Sequence, residues 1–209
     1  TRKRITNVTD DKDRVGGKVR SVKRDAYQAV SGSGNSAIEE LKDQVNAYVK
    51  NETIINNIYP KQIAFNVIPQ IDKFLENGYT KEEMKMVWET KKIMGDARIV
   101  VNPTAVRVPV FYGHSEAIHI ETRDKITAAD AKKLLADFKG ITLVDTDDDG
   151  GDPTAGSDAQ GEDNVYVGRI REDISHPKGL NLWVVADNVR KGAALNSVQI
   201  AEALVEKYL

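Results

Sequence analysis

Cysteine is absent from this 209-residue chain. That excludes disulfides, thiolate metal sites and cysteine nucleophiles from these residues. Aromatic residues are scarce, at 6%, and none precedes Tyr27, so the basic start of the chain has nothing to stack on nucleic-acid bases. Long apolar runs are missing too. A membrane span needs roughly 20 consecutive apolar residues, whereas the longest stretches here, such as 182–186, are far shorter. The first residues are polar and basic rather than the apolar core of a secretory signal. Nor is there a strong excess of either charge: 30 Lys/Arg stand against 32 Asp/Glu, a net −2. The expectation is a cytoplasmic globular protein with no nucleic-acid and no membrane partner. Its 40% apolar content suffices for one good core.

What charge there is lies unevenly. Residues 1–24 carry nine Lys/Arg and three Asp, and residues 145–163 carry eight acids and no base. Both read as solvated segments. Residues 5–17 read as loop, with Asp10-Asp11 and Gly16-Gly17 as breakers. A short strand ends near Tyr27, and Ser31-Gly32-Ser33-Gly34 is a turn that opens a helix with Ala37, Ile38, Leu41, Val45 and Tyr48 at helical spacing. Residues 63–68 read as a buried extended segment. Thr80 and Glu83 form a capping box for a helix that runs to Met94 and stops at Gly95.

The strongest β signal spans 98–123. Val106, Val108 and Val110 alternate with Arg107 and Pro109, which puts Arg107 on the polar side; Ile118 and Ile120 alternate with His119 and Glu121. Thr127 caps a helix carrying Ala131, Leu134, Leu135 and Phe138. Strands follow at 141–144, 165–170 and 180–185, and a last amphipathic helix is expected to bury Val198, Ala201, Leu204, Val205 and Tyr208. The short turns between strands favour an α+β fold: a mixed, largely antiparallel sheet with helices on one face. A doubly wound nucleotide fold is not expected, because neither G-x-G-x-x-G after a strand nor a P-loop occurs.

Few residues suggest chemistry by type and spacing. Arg107 can fork two N–H groups onto a carboxylate, and His114, in the following turn, can move protons near neutral pH; a solvated strand arginine and an idle turn histidine are the plain alternative. Glu82 and Glu83 suit the start of a helix, where Lys85 is disfavoured by the dipole, so that a bound anion would help explain it. Asp145, Asp147, Asp149 and Gly150 open like a calcium loop, but the closing glutamate is replaced by Gly156, and a solvated acidic loop is the better reading. His119 and His176 are given no role, no metal site is expected, and the glycan patterns at Asn7 and Asn51 read as chance.

From about Val19 to the end the chain resembles aspartate-β-semialdehyde dehydrogenase, in that family's C-terminal, substrate-binding and dimerising half. The resemblance is carried by Tyr27-Gln28-Ala29-Val30-Ser31-Gly32-Ser33-Gly34, Ile63-Ala64-Phe65-Asn66, Glu82-Glu83-Met84-Lys85-Met86, Val106-Arg107-Val108-Pro109-Val110, Gly113-His114-Ser115-Glu116, Val167-Gly168-Arg169-Ile170-Arg171 and Lys191-Gly192-Ala193-Ala194. It implies reductive dephosphorylation of β-aspartyl phosphate with NADPH through a cysteine thioester. It also implies roles: His114 as general acid–base, Gln28 orienting the acyl intermediate, Arg107 clamping the substrate α-carboxylate, Glu82 holding the amino group, Lys85 at the phosphate, and Ser31, Gly32 and Asn188 near the nicotinamide. A homodimer is implied as well.

The departures matter as much. The family's Rossmann half and its cysteine segment have no counterpart in these residues, and residues 1–18 match nothing in the family, so residues 19–209 are the expected single domain. Lys23, Arg24 and Asp25 replace an apolar strand, which requires that face to be exposed. Ala105 stands where a cysteine is usual, and the 145–163 loop lacks a Tyr-Pro element. Together these point to an excised and resurfaced, engineered domain. The isolated chain is expected to be catalytically inactive and to need no cofactor. The alternatives are a scaffold without ligand, or residual binding of phosphate or an aspartate-like anion at Arg107 and Lys85.

Overall fold

A computed structural model describes residues 19–208. The segment 1–18, with its expected loop and basic charge, lies outside the described residues. The elements in chain order are β1 (Val19–Gln28), α1 (Asn35–Lys50), α2 (Lys81–Met94), β2 (Val100–Arg107), β3 (His114–Thr122), α3 (Ala128–Ala136), β4 (Ile141–Leu143), β5 (Val165–Glu172), β6 (Gly179–Ala186) and α4 (Leu195–Tyr208). The strands form one six-stranded sheet in the order β2-β1-β3-β6-β5-β4. The β1–β2 and β4–β5 pairs are parallel and the other three antiparallel, so the mixed α+β architecture is as expected. Among the described residues no helix is long and apolar enough to cross a membrane.

Register explains which side chains share a face, because alternate residues of a strand point the same way. One row runs Ala105, Ala26, Glu116, Val184, Val167, Leu143 across all six strands. At one end of the row, Met86 of α2 and Ile71 pack on Ala26 and Ala105. At the other, Ala131 of α3 packs with Val167, Ile170 and Leu180. Helices α2 and α3 therefore cover the same face. A third cluster joins α1, through Ala37, Ile38 and Leu41, to Val30, Ile63, Ala64 and Ile68.

The Thr80–Glu83 box forms as its spacing predicts: the Thr80 hydroxyl accepts the Glu83 amide, and the Glu83 carboxylate accepts the Thr80 amide at 2.8 Å. The other Glu83 oxygen accepts the amide of Ala105, so the cap also fastens α2 to the edge strand β2. Thr80 is 1% exposed. Replacing it with alanine should destabilise the protein by about 1–2 kcal/mol, read by urea unfolding; an unchanged midpoint would mean that the cap contributes nothing.

Four expectations need correction. The face of β2 is inverted: Pro103, Ala105 and Arg107 are its buried positions, and Val106 is only half-buried. On the helix-covered face α2 packs on the small side chain of Ala105, and Val106 takes the other side. In α4 no residue is buried, and Val198, Val205 and Tyr208 are each more than half exposed. The apolar stripe exists, but nothing among the described residues covers it. Tyr48, Leu134 and Phe138 are likewise exposed. Finally, the charges of β1 do not share one open face. Lys23 is exposed and lies 3.8 Å from Asp25, whereas Arg24 points to the helix-covered face and is half-buried against Glu116.

Candidate active site

Two residues along from the Ala105–Ala26–Glu116 row, and so on the same face, toward the C-terminal ends of β1 and β2, lies the row that carries the chemistry. Gln28 is opposite Arg107. Continuing the antiparallel register past Tyr27–Ser115 brings His114 opposite Gln28 on the other side. Three adjacent strands thus contribute one polar residue each, side by side. A cleft of about 640 Å³ opens above them, lined also by Arg24, Gly32, Glu82, Lys85, Glu116 and Asn188. All eight residues expected from the resemblance are found together: Gln28, Gly32, Glu82, Lys85, Arg107, His114 and Asn188 line the cleft, and Ser31 is bonded to Asn188 at its rim.

Arg107 is 5% exposed. Its backbone is fixed on both sides, by β1 and by reciprocal amide–carbonyl bonds with Ile68 at 2.9 and 3.0 Å. One terminal nitrogen, Nη1, donates to the Ala29 carbonyl at 2.7 Å, and the guanidinium lies 5.9 Å from the centre of the Tyr59 ring. The buried Nε has no hydrogen-bond partner among the described residues. Burial pulls the guanidinium pKa below its ordinary value. A buried cation with an unsatisfied donor is costly unless an acceptor arrives to meet it.

His114 is held from the opposite side. The Ala29 amide donates to its Nδ1 at 3.0 Å, so the neutral ring carries its proton on Nε2. Burial, and next the nearby Arg107 cation, push its pKa down to about 4. At neutral pH the ring is therefore an uncharged donor through Nε2–H. Ala29 thus serves both groups: its carbonyl holds Arg107 and its amide orients His114. Gly32 explains why the chain can pass so close. A Cβ there would lie 3.0 Å from Arg107 Nη1 and 3.5 Å from the His114 ring.

The acid of the cleft comes from the first turn of α2. Glu82 accepts the Gln28 amide at 3.0 Å and the Lys85 ammonium at 2.8 Å. Burial pushes its carboxyl up, but Lys85 and Gln28 outweigh that and leave the pKa below the ordinary carboxylate range. The bond to Glu82 raises the Lys85 pKa in turn. Lys85 at the helix start is explained by this (i, i+3) pair, without an anion. On the far wall, Asn188 accepts from the Ser31 hydroxyl and from the Gly113 amide, at 3.1 and 2.9 Å, bridging the two turns that flank His114.

Two residues of the cleft were given no place in the site by the sequence: Arg24, expected on an open face, and Glu116, quoted only as part of a motif. Arg24 donates through Nε to Glu116 at 2.7 Å and through Nη2 to the other carboxylate oxygen, inside the same cleft. The signal was available: Arg24 and Gln28 are four apart on one strand, hence on one face. Elsewhere, among the described residues no three His, Asp or Glu side chains converge on a metal position. Asp145 is instead committed to the Ile170 amide and to Lys132. His119 is paired with Asp173 at 2.7 Å on the other face of the sheet.

Comparison with known proteins places this geometry. The model of the semialdehyde dehydrogenase dimerisation domain matches residues 13–191. Aspartate-semialdehyde dehydrogenase of Shewanella violacea is 63% identical over 182 residues, which is 87% of this chain and 53% of that protein. The enzyme of Legionella pneumophila is 60% identical over 88% of this chain and 53% of its own length. The crystal structure of aspartate semialdehyde dehydrogenase II from Vibrio cholerae, complexed with ASA, superposes with a TM-score of 0.88 at 55% identity, covering 91% of this chain and 56% of that one. The chain thus spans about half the length of the relatives it matches.

Proposed function

This chain belongs to the semialdehyde dehydrogenase dimerisation-domain family, and from that premise we propose that it is the substrate-recognition and dimerising part of an aspartate-semialdehyde dehydrogenase. The observation that carries the reading is Arg107, a buried guanidinium that lines a cleft also holding His114, Gln28 and a Glu82–Lys85 pair, and whose Nε has no partner among the described residues. A substrate α-carboxylate would give Arg107 the acceptor it lacks. Glu82 is placed for the α-amino group and Lys85 for a phosphate. Gln28, held by Glu82, orients the acyl group. His114 offers Nε2–H to an oxyanion or a leaving group, the task of a neutral imidazole donor.

The Gly32 backbone, packed close to the Arg107–His114 pair, lines the cleft at this end, and Ser31 and Asn188 border it. These residues would hold the nicotinamide of NADP, which supplies the hydride when bound. The thiolate that attacks the acyl group is not among these 209 residues. The reading therefore includes no turnover by this chain alone, since positioning groups do not replace a nucleophile. It also includes a homodimer, and a cytoplasmic setting like that of amino-acid biosynthesis.

The test is isothermal titration of the chain with aspartate β-semialdehyde and with inorganic phosphate. Binding that weakens about 10- to 100-fold in Arg107→Met is expected, since a charge-assisted bond is lost. NADPH absorbance should stay flat in the presence of β-aspartyl phosphate. Equal heats for wild type and Arg107→Met would overturn the carboxylate assignment, and NADPH consumption would overturn the inactivity. The alternative, a ligand-free scaffold with a polar open face at Lys23 and Asp25, is favoured by the exposure of that pair. It requires null heats throughout.

A further inference from the structure

Arg24 and Glu116 sit in the cleft with the proposed catalytic row, yet nothing so far gives them work. Their placement is specific. Glu116 is two residues beyond His114 on β3 and so projects from the same face, about 7 Å along the strand. Arg24 is four residues before Gln28 on β1, again on that face. The fork of Arg24 closes on both oxygens of Glu116, linking the neighbouring strands β1 and β3 on the face that carries His114. Both side chains are largely removed from solvent, at 31% and 17% exposed.

We infer that the Arg24–Glu116 pair is a positioning device for His114: Arg24 neutralises the one carboxylate on the imidazole's own strand face, so that the ring stays uncharged and keeps its Ala29 bond. The need for it follows from the Ala29 contact. A second proton on the ring must go to Nδ1, where the Ala29 amide already points its own hydrogen. A naked carboxylate close by would favour that second proton and break the contact. The charges that line the cleft with His114 from other elements are Arg107 on β2, Glu82, Lys85 and Glu89 on α2, Asp72 in the segment before α2, and Asp187 after β6. Asp72 and Glu89 act on Lys85. Glu82 is matched by Lys85, and Asp187 by three backbone amides. Among the described residues Glu116 is matched only by Arg24.

This inference rests on His114 as the proton-moving group of the proposed site, and its test reads the imidazole without any ligand. The His114 ring protons are followed by NMR across pH, assigned by their loss in His114→Gln. In Arg24→Met the titration midpoint should rise by about one pH unit, as expected for an unpaired carboxylate at this range in a partly wet cleft. Arg24→Lys should keep the wild-type midpoint, because the charge remains. Arg24→Met/Glu116→Gln should bring it back, because both charges are gone. A pair that only braced the sheet would disturb single and double variants alike. An unmoved midpoint in Arg24→Met, or a double variant as shifted as the single, would overturn the inference. A null titration of substrate with a shifted midpoint here would remove the ligand reading and leave this one standing.

Discussion

Gln44→Leu should cost about 3 kcal/mol or more, although it keeps the size of the side chain. Gln44 is 1% exposed and uses every hydrogen-bonding position of its amide. The oxygen accepts from the amides of Ile63 and Ala64 at 2.9 and 3.0 Å, and the nitrogen donates to the Ile55 carbonyl and the Asn56 side chain, both at 3.0 Å. Ile63 and Ala64 are fully buried, so leucine strands two amides out of reach of water, each at about 1–3 kcal/mol. Glu40, one turn earlier, accepts the amides of Asn57, Ile58 and Tyr59 in the same way. These two side chains are what α1 uses to hold a segment with no regular structure of its own. That segment in turn places Tyr59 under Arg107 and Ile68 beside it. Thermal melting should fall by about 6–12 °C; a loss under about 1 kcal/mol would mean the two amides find other partners.

The second large effect is set by acid. The folded-state pKa of His114, pushed down to about 4 by burial and by Arg107, lies below the ordinary imidazole value of about 6.5 that the unfolded chain restores. Between those two values the unfolded state binds more protons than the folded state. Stability therefore rises with pH through this window, and it is lost as pH falls from about 6.5 to 4. The difference amounts to about 3 kcal/mol. His114→Gln should lack that part of the slope. Urea unfolding of both proteins from pH 7 to pH 4 tests it, and parallel profiles would refute it. Carboxylates with lowered pKa, such as Glu82 and Asp173, lose their contribution at lower pH and do not mimic the effect.

Elements fixed by neighbours in sequence were legible, and those fixed by distant partners were not. The Thr80–Glu83 cap needs residues three apart, and it forms as read. The stop of α2 at Gly95 and the Thr127 cap of α3 are of the same kind. The side assigned to Arg107 failed because apolar content was taken to mark the inward face. The inward face of β2 instead carries alanine and proline, and Arg107 is accommodated there by Ala29 and Tyr59, residues 78 and 48 positions away. Likewise Glu40 and Gln44 look like ordinary surface residues of an amphipathic helix until their partners at 55–64 are known. Arg107, His114 and Lys85 stood out by residue type and position, but the eight site residues as a set were legible only as a resemblance; the convergence of Gln28, Arg107 and His114 rests on strand register. Arg24 shows the limit of that route, since a residue that departs from a family pattern is read as decoration until its neighbours across the strands are seen.

The parallel pairing of β1 with β2 also sets the moment at which the cleft comes into being. Gln28 waits for Arg107, and its other flank for His114, each some eighty residues downstream. Neither a hairpin nor a lone helix can assemble any portion of this row in advance. Closing such wide loops is slow, and the reward arrives only when all three strands align. An anion that prefers the completed row therefore cannot guide early collapse. It can only retard the reverse step, so its kinetic signature belongs on the unfolding limb.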